Sequence, residues 1–310
     1  MTAEDFVSAD RFDALFGSLS RWGEWGGEDE RGALHFITRD RVAAAATLVR
    51  EGITVTLSLP LNTHAAVHCP APADHHMTAL GSDEQDPEGV HFIKDYVGLD
   101  YHNDGHTHID ALCHVAFDGA LYNGRSEDVV SDEGARANSI EVLKDGLVGR
   151  GVLLDIPRVR GVKWLEPGDH VFREDLEAAE REQGVTVDEG DILLVRTGHA
   201  RRLSELGPWN TPAAKAGLHP SAMPFISERL VAALGSDGNS DTAPSTTEGV
   251  DFPIHVLAIT AMGIHLLDYL QLDDLSDTCE HLGRWEFMFA AAPLLILGGT
   301  GSPLNPIALF

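Results

Sequence analysis

The order of apolar and polar positions divides the chain into interleaved strands and helices. Residues 53–59, ITVTLSL, alternate β-branched with small or apolar side chains, which predicts a strand that opens the main sheet. The apolar runs RGVLLDI at 150–156 and GDILLVRTG at 190–198 predict buried strands. MFAAAPLLILGGTGSP at 288–303 predicts a closing strand, a glycine turn and a proline-rich tail. Helices are expected in RFDALFGSLSRW, with Asp10 as its cap, and in the alanine-rich RDRVAAAATLVREG, which stops at a glycine. Trp22, Trp25 and the pair Gly26 and Gly27 mark a turn between them. Charges three or four apart predict a helix at 173–183, and FISERLVAAL at 225–234 reads as another. The stretch 252–270 suits a strand following a helix. With Pro70, Pro72 and Pro87 and weak periodicity, 63–100 reads as a long loop, and the polar tract 236–249 reads as a surface loop. Interleaving without repeats or an obvious linker predicts an α/β fold. It is read as a single domain over 1–310, with a mixed central sheet, flanking helices and a helical N-terminal segment at 1–50.

Composition narrows the function classes. With 43% hydrophobic and 23% charged residues among 310, the chain can bury a sizeable core. Its 49 acidic and 22 basic residues give a formal charge of -27, a field that repels phosphate backbones and anionic lipid surfaces, so neither nucleic acid nor membrane is an expected partner. No apolar run approaches the ~18 residues of a spanning helix, and the acidic N-terminus lacks the features of an export signal. Cys69, Cys113 and Cys279 are odd in number and far apart, which favours a reducing cytoplasm over a disulfide framework.

The candidate chemistry lies in HNDGHTHIDALCH at 102–114, where four histidines and two aspartates fall within thirteen positions. One isolated histidine is most simply a satisfied core or loop residue; this density points to a metal site. In an extended segment His106, His108 and Asp110 share a face, and imidazole with carboxylate suits zinc or manganese. GGTGSP at 298–303 lacks the Lys-Ser/Thr pair of a phosphate loop, and Ser204, Ser221 and Ser245 lack a nucleophile elbow. Cys113 in a strand would face away from His114, so it is not read as a nucleophile.

HTHIDALCH resembles the HxGTHxDxPxH signature of the metal-dependent cyclase family, which includes bacterial kynurenine formamidases, isatin hydrolases and trans-dienelactone hydrolases. WGGEDERGALHFIT, GDILLVRTG, GLHPSAMPF, LGSDG and GGTGSPLNP are similar to further family segments. The resemblance implies a swivelling β/β/α fold, a divalent metal cofactor, a small-molecule substrate and a homo-oligomer, commonly a dimer. Carried over, the signature's second His, Asp and last His fall on His108, Asp110 and His114, whereas its first His falls on Asp104. Either His102 or His106 is the expected replacement, with Asp104 the alternative; Leu112 stands where the family has Pro. Downstream, His255 and Asp268 match a family His and Glu, with His265 expected beside Asp268 on a helical turn and His199 where relatives often have an aromatic. The implied activity is hydrolysis of an amide, lactam, lactone or ester carbonyl of a small cyclic or aromatic substrate. His114 and His255 are the candidate catalytic residues, with His114 as base and both becoming ligands if a second ion binds, and Asp268 joins His102, His106, His108 and Asp110 among the candidate metal ligands. A non-hydrolytic cyclase, dehydratase or isomerase is the alternative, and a binding protein without catalysis the third reading.

Overall fold

The apolar runs assemble into one nine-stranded sheet. A computed structural model describes residues 6–80 and 90–310; Pro87 lies outside them. The strands are β1 (Thr54–Thr56), β2 (His108–Asp110), β3 (Leu147–Asp155), β4 (Ile192–Arg196), β5 (Ala233–Ser236), β6 (His265–Asp268), β7 (Glu286–Ala291), β8 (Gly301–Pro303) and β9 (Ile307–Leu309). Their order is β1-β9-β7-β3-β4-β5-β6-β2-β8. The central β3, β4, β5 and β6 are parallel, and the remaining pairings are antiparallel. Every residue of β4 and β5 is buried, as expected of parallel strands covered on both faces. In β7 burial alternates, with Phe287, Phe289 and Ala291 inside. Apolar side chains from Val7 to Phe310 form one contiguous core. The fold is mixed α/β, with helices flanking the sheet. Among the described residues no helix is long and apolar enough to cross a membrane.

The helix at Arg173–Gln183 buries Leu176 and Ala179 and ends at Gly184 in the left-handed region. Other boundaries differ from those the sequence predicts. Ser8 rather than Asp10 caps Ala9–Leu19, its hydroxyl accepting from the Arg11 backbone N–H, and Asp10 sits in the first turn. The second helix, Arg39–Ala46, stops well before Gly52. The expected helix at 225–234 ends at Glu228, because Leu230 turns left-handed (φ 52°) and the following alanines enter β5. The segment 63–100 holds a hairpin, Asp74–Ala79 against Lys94–Gly98, rather than loop throughout. The tract 236–249 is surface loop only in its later part: Asp237, Asn239, Ser240 and Asp241 are all buried, whereas Pro244, Glu248 and Gly249 are exposed.

Candidate metal centre

Strand β2 lies between β6 and β8 and sets the site. Antiparallel register places Asp268 opposite His108, and Gly301 opposite Asp110. A side chain at Gly301 would bring its Cβ to 2.4 Å from the Ile109 carbonyl oxygen and 2.9 Å from the His102 ring. Glycine there lets β8 and His102 approach Asp110 together.

Around the fully buried Asp110 stand four imidazoles and a second carboxylate. His102 Nδ1 lies 3.0 Å, His108 Nε2 3.6 Å and His114 Nε2 3.9 Å from Asp110 Oδ1. His255 Nε2 lies 3.6 Å from Asp110 Oδ2 and 3.4 Å from Asp268 Oδ2. The other nitrogens of three rings are held from behind. His108 Nδ1 donates to the His106 carbonyl (2.8 Å), His102 Nε2 pairs with Thr300 Oγ1 (3.0 Å) and His255 Nδ1 with Asp241 Oδ2 (2.6 Å). Such outer partners orient imidazoles so that the free nitrogen faces a metal. His114 stacks on His102, centroids 3.8 Å apart and planes within 5°.

The residues fit a divalent cation. Both Asp110 oxygens and Asp268 Oδ1 are buried without a hydrogen-bond donor; the 3.0 Å approach of His102 is within ion-pair reach but not aligned as a hydrogen bond. Buried carboxylate oxygens left in this way call for a cation. Two groups, His102, His108, Asp110 and Asp110, His255, Asp268, each bring three ligand atoms within 4.8 Å of one another, sharing Asp110.

Electrostatics follows burial and neighbours. Burial opposes ionisation of Asp110, but His114, His102, His108 and His255 together hold its carboxyl below the usual range. Burial raises Asp268. It also lowers His114 to about 4, against the pull of Asp110. His255 is the reverse: despite burial, Asp241 and Asp268 raise it well above an ordinary histidine.

The structure brings together His102, His108, Asp110, His114, His255 and Asp268, and leaves out four residues singled out from the sequence. His106 lies outside because 102–106 is a turn and the strand begins only at His108, so the two-residue alternation does not reach back. Its Nε2 faces Cys69 Sγ at 4.0 Å. Asp104 pairs with Lys215 Nζ at 3.5 Å. His265 is on β6, not on a helix, so three residues of separation put it on the face opposite Asp268. His199 packs against Trp209 and lines a smaller adjoining cavity of about 320 Å³. Cys113 is buried with its thiol pushed up to about 12, which removes it as a nucleophile.

A cavity of about 550 Å³ opens on the cluster, with apolar lining from Pro70, Val115, Pro212, Phe252 and Val256. Asp241, Lys215 and Tyr269, which also bear on this site, were not identified from the sequence. For Asp241 and Tyr269 the signal is position, since they follow the carboxyl ends of parallel strands β5 and β6, where open α/β sheets place ligands; Lys215 has no such signal.

No curated protein matches the chain. A family model described as "Putative cyclase" matches residues 53–241. A solved structure described as a novel cyclase is 33% identical, covers 94% of this chain and 99% of its own, and superposes with a TM-score of 0.86. Isatin hydrolase A from Ralstonia solanacearum is 24% identical, with 88% and 97% covered and a TM-score of 0.60. A "predicted metal-dependent hydrolase" from Bacillus stearothermophilus is 16% identical, with 83% and 97% covered and a TM-score of 0.52. These two likenesses are of fold. The family model spans more than half of the chain, and the novel cyclase is similar along nearly all of it; the chain belongs to the cyclase family.

Proposed function

We propose that this cyclase-family chain is a metal-dependent hydrolase that opens an amide, lactam, lactone or ester carbonyl of a small cyclic or aromatic substrate. The observation that carries the reading is Asp110, fully buried with both oxygens lacking donors and ringed by imidazole nitrogens beneath an apolar cavity. His102, His108, Asp110, His255 and Asp268 would hold the metal, and nitrogen and oxygen donors without thiolate suit zinc or manganese. A bound ion supplies Lewis acidity to a carbonyl and makes water more acidic. The apolar walls orient a flat substrate and exclude bulk water. His114 is the most accessible imidazole of the cluster, its side chain 27% exposed against 4% for His108, and burial keeps it neutral. It takes the proton from the attacking water and returns it to the leaving heteroatom.

The test is an ester, lactone and amide panel run in ¹⁸O-labelled water alongside metal analysis. Label in the product supports hydrolysis, whereas conversion without label gives the reading to the cyclase, dehydratase or isomerase alternative. His114→Ala is expected to lower kcat by about 10² to 10⁴ with metal retained. An unchanged kcat removes His114 as the base.

We further infer self-association and a cytoplasmic location. Among the described residues the hairpin Asp74–Ala79/Lys94–Gly98 pairs only with itself, and Met77, Tyr96 and Val97 on it, with Phe92 and Ile93 before its second strand, are exposed. An isolated two-stranded ribbon is marginal in water, and this apolar surface suits burial against a second copy of the chain. Three unpaired, buried cysteines accord with a cytoplasmic protein.

A further inference from the structure

The chain has four lysines; three are exposed, whereas Lys215 is 2% exposed and lines the cavity of the metal cluster. Taking an ammonium out of water is expensive unless it is paired. Its position is imposed by the fold: the Lys215 and Ala243 backbones exchange two hydrogen bonds of 3.0 Å. Nζ reaches Tyr269 OH at 3.2 Å and Asp104 Oδ2 at 3.5 Å. The second distance is long for a charge-assisted hydrogen bond, normally about 2.7–2.9 Å, and an ammonium has three donors. Lys215 therefore retains donor capacity at the cavity wall. Asn239 and His68 line the same cavity, and Asn239 Oδ1 and His68 Nδ1 are buried without partners.

We propose that Lys215, positioned by Asp104 and Tyr269, binds a carboxylate carried by the substrate, so that the substrate class is a small aromatic or cyclic acyl compound bearing a second, anionic group. The inference rests on the reading that the cavity receives the scissile carbonyl at the metal cluster. A carboxylate is favoured over a neutral oxygen because a cation in a largely apolar wall gains most from an opposite charge. It also gives a role to the aspartate that stands at the first histidine of the signature: Asp104 balances the charge of Lys215.

Binding without turnover tests this. Calorimetry on the metal-loaded full chain compares 3- and 4-carbamoylbenzoate with 3- and 4-methylbenzamide, pairs that differ only in carboxylate against methyl. At least one carbamoylbenzoate is expected to bind about tenfold tighter than its methyl counterpart, the scale of one charge-assisted hydrogen bond. Lys215→Met should remove that preference while leaving methylbenzamide binding and metal content unchanged. Asp104→Asn should strengthen the preference, since it frees the ammonium from its anion. The double variant Lys215→Met with Asp104→Asn removes both charges together, so no unpaired buried carboxylate burdens the fold; it too should lose the preference. Equal affinity for both members of each pair in the wild type overturns the proposal, as does a preference that survives in the double variant. Because no product is measured, absence of hydrolysis would count against the proposed activity and leave this result to stand on its own.

Discussion

At the scale of single residues, the site is organised by what stands behind each ligand. Asp241 accepts from His255 Nδ1 and from the backbone N–H groups of Ile254 and His255, so it fixes both ring and backbone. Asp241→Asn should weaken metal binding by about 10- to 100-fold, whereas Asp110→Ala should abolish it, as measured by competition against a chromophoric chelator. Equal affinity of Asp241→Asn and wild type would show that the carboxylate is not needed to orient His255. Residue types in 102–114 announced a metal site, but not which histidine stands at its first position. The sequence leaves His102, His106 and Asp104 open, and the turn at 102–106 decides their directions.

At the scale of elements, the site depends on the closeness of three short strands. β8 reaches Asp110 only because Gly301 has no side chain. Gly301→Ala should destabilise by about 1–3 kcal/mol, the usual range for overpacking, and should lower metal affinity by displacing His102. Thermal unfolding of metal-free and metal-loaded protein checks both effects; an unchanged midpoint together with unchanged affinity would contradict the packing argument. Long elements were legible: β3, β4 and the helix at Arg173–Gln183 announce themselves through apolar runs or helical charge spacing. The short β2 and β8, three residues each, have no periodicity of their own to read and are created by pairing.

At the scale of the whole molecule, a chain of charge -27 repels its own copies, so association needs an apolar surface to offset it. The hairpin supplies Phe92 and Ile93, 69% and 68% exposed. Phe92→Ser with Ile93→Ser should shift the protein toward monomer in sedimentation velocity while leaving metal content unchanged. A wild type that is already monomeric at micromolar concentration would refute self-association through this surface.

Periodicity and local residue type act over a few positions, and they suffice to specify the alternation of strands and helices, the mixed α/β class and the metal-binding residue types of 102–114. How the site is completed depends instead on contacts between distant positions. Thr300 supports His102 from 198 positions away and Lys215 meets Asp104 from 111, distances over which no local pattern carries information. The tract after β5 reads as solvated loop by composition, yet its first residues are buried because Asp237 satisfies the backbone N–H groups of Thr197, Gly198 and His199, while Asp241 holds His255. Polar residues look the same in sequence whether water or the protein satisfies them; which one does so is settled when the sheet brings their partners together.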